Sequence, residues 1–178
     1  ACDYVYPELM ASPRRVDDDI HTTIPYYRYL FASSRGKLAT PLGVKSLLHA
    51  GDYSKIETES GQESLYARTL LQLAEAAACG VTYEPHLSIC RLDAYAEAVE
   101  DWFTFTRNHG HVYEGQSNLA DVAVVCSLSG FYIGRDPSFI AALNALEHAG
   151  VLAEGMLADD LANPSLAGRY RCIVLPPT

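Results

Sequence analysis

Side chains that can transfer protons follow three short apolar segments of the chain. Glu8 comes just after the first segment, Lys45 and His49 come after the second, and Glu84 and His86 come after the third. A protonated carboxyl group can give its proton to a leaving oxygen, whereas an ionised one can activate water or attack carbon. These residues therefore indicate acid–base or nucleophilic chemistry, with Glu8 as the first candidate and Glu84 as the second.

The apolar segments alternate with helical patterns, and this order is typical of an α/β fold. Helix starts are indicated by Thr23, by a capping box of Ser60 and Glu63, and by Asp93, and each helix ends near a glycine. The polar stretch 11–23 is expected to be a loop. The sequence thus predicts three strand–helix pairs, with strands at residues 2–9, 38–44 and 81–85.

Helical periodicity also predicts which side of each helix is buried. In the helix that Ser60 opens, the apolar side consists of Tyr66, Leu70, Leu73, Ala74 and Ala77. In the helix that Asp93 opens, it consists of Tyr95, Val99, Trp102, Phe103 and Thr106. We expect these two sides to face the core.

A second alternating pattern occupies the last third of the chain. Residues 121–127 are rich in valine, as in a strand that is buried on both faces. A helix is predicted over residues 137–149, with Gly150 in the left-handed conformation just past its end. Extended segments at residues 151–157 and 171–175 follow, and this order predicts parallel strands joined by a right-handed crossover.

Composition limits the class of protein. Of the 178 residues, 49% are hydrophobic and 20% are charged, which is typical of a globular chain with a sizeable core. The formal net charge is −9 and the 13 lysines and arginines form no basic run, so a nucleic-acid partner is not expected. No apolar stretch has the length of a membrane span, and we expect no membrane partner.

No cofactor or metal site is indicated. The five cysteines, which are scattered and form no Cys-x-x-Cys pair, are expected to be buried thiols in a reducing, cytoplasmic compartment. Cys126 and Cys172 in particular fall within predicted strands. His109 and His111 lack a suitably spaced third ligand, and the consecutive aspartates 17–19 lack the alternate spacing of a calcium loop.

Several segments resemble a known group of enzymes. The tail FIAALNALEHAGVLAEGMLADDLANPSLAGRYRCIVLPP resembles the start of the glutamine-amidotransferase-like domain that follows the catalytic barrel in family 42 β-galactosidases and in the hypothetical glycosyl hydrolase 6 group. Upstream, DYVYPEL, RGKLATPLGV and LLQLAEAAACGVTYEPH look like the last three strands of that barrel, and FTRNHGHVYEG looks like its exit. The resemblance spans nearly the whole chain, although none of these motifs is diagnostic alone.

The resemblance implies a fold and a function. Residues 1–115 would be the last three βα units of a (β/α)8 TIM barrel. Residues 116–178 would be the first part of a flavodoxin-like doubly wound parallel sheet, which belongs to the trimerisation domain in the β-galactosidases. We therefore expect an internal piece of a longer glycoside hydrolase that acts on a carbohydrate and forms a homo-oligomer through its second domain. In this interpretation Glu8 is catalytic, and the substrate-binding residues are Tyr6, Lys45, Glu84 and His86.

One departure from the family pattern leaves alternatives open. In family 42 the nucleophilic glutamate follows the seventh strand, where this chain has Leu42 or Gly43. Either another carboxylate such as Glu8 is used, or the strands are aligned one unit out of register, or the mechanism has been lost. The alternative function is a non-catalytic carbohydrate-binding or oligomerisation module, in which Glu8 caps a loop or pairs with Arg14 or Arg15.

Overall fold

The computed structural model describes residues 4–5, 14–16, 19–34, 38–39, 59–81, 92–113, 119–127 and 137–177. The described residues form a mixed α/β structure with a small parallel sheet, which is compatible with the α/β class predicted from the sequence. The chain divides into two compact units, one of Ala1–Tyr27 with Lys37–Gln116 and one of Arg28–Gly36 with Ser117–Thr178. Helix α1 (Ile24–Ser34) contributes residues to both units.

Strand pairing in the first unit is partly parallel and partly antiparallel. Besides the start of α1, this unit contains β1 (Tyr4–Val5), β2 (Arg14–Val16), β3 (Asp19–His21), β4 (Leu38–Ala39), α2 (Glu59–Ala78), α3 (Asp93–His109) and the 3₁₀ helix Gly110–Val112. Strands β1 and β4 are parallel, with Tyr4 opposite Leu38. Strands β2 and β3 form an antiparallel hairpin, with Arg15 opposite Ile20. The hairpin corrects the expectation of a loop at 11–23, because a two-residue connection is enough to join antiparallel strands.

The buried side of α2 is not the one that apolar periodicity predicts. The buried residues of this helix are Leu65, Thr69, Gln72, Leu73, Glu75 and Ala76. Three of them, Thr69, Gln72 and Glu75, are polar. Of the predicted side, Leu73 is buried, whereas Ala74 is exposed. Counting apolar residues ignores Thr69, whose hydroxyl is satisfied within the helix by donating to the carbonyl of Leu65 at 2.7 Å. The helix is therefore rotated by about 100°, or one residue, from the predicted orientation.

The two predicted helix starts in this region are displaced, the first by two residues and the second by one. Helix α2 already includes Glu59, so Ser60 lies within its first turn. Helix α3 starts at Asp93 and has Leu92 at the N-cap position, without a side-chain capping bond. The buried residues of α3 are confined to its first two turns, and Phe103, predicted to be buried, is 46% exposed.

Glycine ends two helices in the way that the sequence predicts. Gly80 and Gly150 have positive φ angles of 69° and 70°. After Gly80 the amide of Val81 donates to the carbonyl of Ala76, and after Gly150 the amide of Val151 donates to that of Leu146. This six-to-one bond satisfies a carbonyl at the helix end, and it requires a left-handed residue that glycine adopts without steric cost.

The second unit contains a small parallel sheet. Its elements besides the rest of α1 are β5 (Val122–Cys126), α4 (Pro137–His148), β6 (Ala153–Leu157), the 3₁₀ helix Ala158–Ala162, α5 (Pro164–Ala167) and β7 (Cys172–Val174). The strand order is β6–β5–β7, with both pairs parallel and Val124 opposite Gly155 and Val174. The prediction of parallel strands around a crossover helix is thus confirmed.

The core of the second unit lies against one face of this sheet. It consists of Tyr29, Val124, Cys126, Phe139, Leu143, Ala153 and Leu157. The strand residues in it alternate with residues on the other face, as the two-residue period of a strand requires. Tyr29 of α1 and Phe139 of α4 meet edge to face, with ring centroids 5.5 Å apart. Two helices therefore cover the same side of the sheet.

Gly155 allows α1 to lie directly on β6. A Cβ atom at this position would be 2.8 Å from the carbonyl oxygen of Arg28 and 3.1 Å from the Cβ of Ala32. The guanidinium of Arg28 in turn donates to the carbonyl of Ala153 on the same strand. Only a residue without a side chain fits between the helix and the strand at this point.

Candidate functional site

The five site residues predicted from the sequence, Tyr6, Glu8, Lys45, Glu84 and His86, lie outside the described residues, as do His49, Leu42 and Gly43. Their roles remain predictions. The structure does define the strand before Glu8, because β1 ends at Val5 and pairs with β4.

The described part of the chain shows where some of the other chemistry-bearing residues lie. Cys126 is buried in β5, and its thiol donates to the carbonyl of Met156 at 3.3 Å. Cys172 is exposed, which corrects the expectation of a buried thiol and is explained by its position on the edge strand β7. His109 and His111 are both exposed. Among the described residues no group of three or more histidines, cysteines or acids could hold a metal, and no helix is long and apolar enough to cross a membrane.

A pocket of about 310 Å³ in the second unit brings polar and apolar side chains together. Strand β6 forms one side of it, with contributions from the end of α1 and from the segment that joins β6 to β7. The lining residues are Phe31, Ala32, Glu154, Gly155, Met156, Leu157, Asp160, Leu166, Arg169 and Tyr170. This volume lies at the lower end of the range for small-molecule sites.

Glu154 is the central polar residue of this pocket. It is only 6% exposed, although it lies on a strand whose neighbours are mostly apolar. Its Oε2 accepts a hydrogen bond from the hydroxyl of Tyr170 and lies 3.7 Å from Nη2 of Arg169. Burying a carboxylate is costly unless it is paired, and these two partners offset that cost.

The phenol of Tyr170 is held in its protonated form. Burial, followed by the hydrogen bond to Glu154 and the negative charge of that carboxylate, raises the pKa of Tyr170 to about 12, while Arg169 acts in the opposite direction. The guanidinium of Arg169 also lies 5.4 Å from the centroid of the Tyr170 ring, within cation–π range. Tyr170 is therefore a hydrogen-bond donor at neutral pH.

Helix α5 positions Arg169 and Tyr170. The side chain of Asn163 caps this helix by accepting from the amide of Ser165 at 3.1 Å, and Pro164 occupies its first position. At its other end the amide of Tyr170 donates to the carbonyl of Ala167 at 3.3 Å. The tight turn returns the chain to the pocket immediately before β7.

The sequence contains two signals for this site. The segments that carry the family resemblance in the tail, Asp-Asp-Leu and Leu-x-Gly-Arg-Tyr, include Asp160, Leu166, Arg169 and Tyr170. A second signal is Glu154, an acid in the middle of the extended segment predicted at residues 151–157. A buried acid requires partners, and a search for them would have led to the arginine and tyrosine that follow α5.

The first unit has a different polar cluster, made of Thr23, Tyr27, Gln72 and Glu75. Glu75 is 5% exposed, and its Oε2 accepts from the amide of Thr23 at 2.9 Å and from the hydroxyl of the same residue. The hydroxyl of Tyr27 donates to the carbonyl of Gln72 at 3.3 Å. Burial is the main cause that raises the pKa of Tyr27 well above its usual range; the hydrogen bond with Thr23 lowers it and the charge of Glu75 raises it further. This cluster joins the start of α1 to α2.

An aromatic cluster lies on the surface at the end of α3. The ring centroid of Phe105 is 5.7 Å from that of Trp102, 4.9 Å from that of His109 and 6.5 Å from that of Tyr113. Phe105 is largely exposed. Offset aromatic pairs at these distances stabilise one another, so the cluster has a structural role on this helix.

Comparisons with protein families, with characterised proteins and with solved structures found no match to this chain. A functional proposal therefore depends on strand order, on the sequence pattern and on the geometry of the described sites. The Glu154 cluster combines a cavity with polar side chains that line it.

Proposed function

We propose that this chain is part of a glycoside hydrolase, with residues 1–115 at the end of a (β/α)8 barrel and residues 116–178 at the start of a flavodoxin-like domain. The observation that carries the proposal is the parallel pairing of β1 and β4, which are separated in sequence by α1. In such a barrel, strands successive in the parallel sheet are joined through a helix, and catalytic groups follow the carboxyl ends of strands. Glu8 follows β1 in this manner.

The strand order of the second unit supports the second half of the proposal. Strand β5 is first in the sequence and central in the sheet, with β6 on one side and β7 on the other. The order is therefore second, first, third, which is how a flavodoxin-like sheet begins. In the family that the chain resembles, this domain associates subunits, and we propose the same homo-oligomeric role here.

The proposed reaction is hydrolysis of an O-glycosidic bond by two carboxyl groups. Glu8 would supply one of them, either protonating the leaving oxygen or attacking the anomeric carbon, and Tyr6, Lys45, Glu84 and His86 would bind hydroxyl groups of the sugar. A separation of roughly 5 Å between the two carboxyls would give retention of configuration, and roughly 6.5 to 9.5 Å would give inversion. This chemistry requires neither a metal nor a cofactor.

Hydrolysis of a panel of aryl glycosides by the full-length protein tests the proposal. Glu8→Gln should lower kcat by roughly 10² to 10⁴-fold, because proton transfer by a positioned carboxyl contributes about that factor. Glu100→Gln, an exposed position on α3, is the matched control and should leave kcat unchanged. Equal rates for the Glu8→Gln variant and the parent protein would remove Glu8 from the mechanism.

The runner-up function is a non-catalytic carbohydrate-binding or oligomerisation module of the same architecture. It is favoured by Leu42 and Gly43, which stand where the resemblance places the nucleophile. Saturable binding of a glycoside without release of the aryl group, unaffected by Glu8→Gln, would favour this function over hydrolysis.

A further inference from the structure

The pocket beside β6 has the composition of a ligand site that is separate from the proposed catalytic carboxyls. It is formed entirely by residues of the second unit, and it places a buried carboxylate next to a half-exposed guanidinium. We propose that this pocket binds a small neutral molecule with adjacent hydroxyl groups, such as a monosaccharide. The proposal does not depend on Glu8 or on hydrolysis.

The hydrogen-bonding groups of the pocket fit hydroxyls. Glu154 and Asp160 supply carboxylate oxygens, which accept, and Arg169 supplies donors. The single proton of the Tyr170 hydroxyl is donated to Glu154, so its oxygen can accept from a ligand. A hydroxyl group both donates and accepts, so adjacent hydroxyls can bond to a carboxylate and to a guanidinium at once. The contacts of Glu154 with Tyr170 and Arg169 both involve Oε2, whereas a carboxylate has about four acceptor positions over its two oxygens.

The charges of the pocket select against an anion. Two carboxylates and one guanidinium leave no excess of positive charge among the lining residues, and Arg169 is already within ion-pair distance of Glu154. A phosphate or carboxylate ligand would have to compete with Glu154 for this guanidinium. An ammonium ligand bound to Glu154 would lie beside the guanidinium of Arg169, and the two positive charges would repel each other. A neutral ligand can bond to both groups without separating them.

The remaining surface of the pocket is apolar. Met156 and Leu157 of β6, Leu166 of α5 and Phe31 of α1 supply it. A sugar ring has an apolar face of C–H groups, which can lie on such side chains while its hydroxyls point towards Glu154 and Arg169. Small-molecule sites commonly have this combination of apolar walls and a few polar groups.

Calorimetric titration of the full chain with galactose and with glucose tests the proposal, with sodium phosphate and ethylammonium chloride as the charged comparisons. We expect saturable binding of at least one sugar in the millimolar range and none of either ion. Arg169→Met should weaken sugar binding by about tenfold or more, since it removes a hydrogen bond to a charged group. Arg171→Met is the control, because Arg171 is the next arginine in the chain, is 84% exposed and does not line the pocket.

A second variant keeps the test decisive. Glu154→Gln retains the shape of the side chain and removes its charge, and it should also weaken binding by about tenfold. Circular dichroism reports whether this variant folds; if it does not, the half-exposed Arg169 decides the test. The absence of saturable sugar binding, equal binding by the Arg169→Met and Arg171→Met variants, or preferential binding of phosphate or ethylammonium would each overturn the proposal. Glu8→Gln does not change any residue that lines the pocket. Sugar binding in the pocket beside β6 should therefore persist in that variant even if hydrolysis is lost.

Discussion

Glu75 in the first unit and Glu154 in the second are buried to nearly the same extent, at 5% and 6% exposure, but their surroundings differ. Glu75 accepts from the main-chain amide and the hydroxyl of Thr23, just before the start of α1. Glu154 has only side-chain partners in Tyr170 and Arg169, and Arg169 is half exposed. The first carboxylate belongs to the framework of a helix pair, whereas the second lines a pocket.

This difference in surroundings predicts how much each of the two residues contributes to the stability of the fold. A helix N-terminus carries a partial positive charge and free amides, so a carboxylate there stabilises the helix and is itself stabilised. An acid that lines a pocket and is paired with long, partly exposed side chains contributes less to folding, because water can reach its partners when it is removed. Removing the Glu75 carboxylate should therefore lower stability more than removing that of Glu154. Of these two residues, only Glu154 should affect ligand binding.

The largest expected effect is the loss of the Glu75 carboxylate. Glu75→Ala leaves the buried amide and hydroxyl of Thr23 without this acceptor and should lower the free energy of unfolding by about 3 kcal/mol. Glu75→Gln retains an acceptor oxygen and should cost less. Glu63→Ala, on an exposed position of the same helix, is the control. Urea denaturation measures all three, and a Glu75→Ala variant as stable as Glu63→Ala would show that the cluster does not hold α1 to α2.

The next largest effect is expected at Gly155, which lines the pocket and packs against α1. Gly155→Ala places a Cβ 2.8 Å from the carbonyl oxygen of Arg28, so the helix or the strand must shift. Overpacking of this kind should cost about 2 kcal/mol. Gly110→Ala is a matched control, since a Cβ there meets nothing within 4 Å. Thermal unfolding should show a lower Tm for Gly155→Ala only; equal Tm values would contradict the close contact between α1 and β6.

The same two regions show what the sequence could predict. The parallel pairing in the second unit and the glycine ends at Gly80 and Gly150 follow from local signals, and the structure confirms them. The strand predicted at residues 81–85 lies, after Val81, outside the described residues. Gly150 illustrates the reason: its left-handed φ is required by bonds within six residues of chain. Such signals are complete within a short window of sequence.

Neither Glu75 nor Glu154 was predicted to be a buried, paired carboxylate, because the partners of each lie outside the short window in which local signals act. Thr23 and Glu75 are 52 positions apart, and apolar periodicity in α2 predicted a buried side that excludes Glu75. Glu154 is closer to Tyr170, at 16 positions, but the turn that returns Tyr170 to β6 depends on the cap and length of α5. Contacts with residues distant in the sequence therefore determine which side chains are buried, and apolar periodicity does not reveal such contacts.

Alkaline titration sharpens the comparison further, with a smaller effect. Tyr170 has its pKa raised from 10.0 to about 12 in the folded state, so between these values the unfolded chain loses a proton that the folded chain keeps. Its contribution to stability is complete below pH 10 and is lost as the pH rises towards 12. Tyr170→Phe should therefore flatten part of the alkaline fall in stability. Tyr27→Phe should flatten a similar part of it, since burial also raises the pKa of Tyr27.

Guanidinium denaturation at pH 9, 10, 11 and 11.5 gives the slope of unfolding free energy against pH for each variant. Tyr113→Phe is the control, because this tyrosine belongs to the surface cluster of α3. If Tyr170→Phe and Tyr113→Phe had the same slope as the parent chain, burial of Tyr170 beside Glu154 would not raise its pKa in solution.

The smallest effect is expected for the pair that joins α2 and α3 on the surface. The hydroxyl of Tyr66 donates to Oδ2 of Asp101 at 2.6 Å, and this bond is exposed; the hydrogen bond is the main cause that raises the pKa of Tyr66. An exposed bond exchanges readily with water, so Tyr66→Phe should leave Tm unchanged within error, although the phenol gives a direct spectroscopic readout of the contact. In ultraviolet titration the component of the absorbance that is lost in Tyr66→Phe should shift to lower pH in Asp101→Asn and stay in place in Asp93→Asn. A fall in Tm comparable to that of Glu75→Ala would show that short distance, rather than burial, determines the contribution of a carboxylate in this protein.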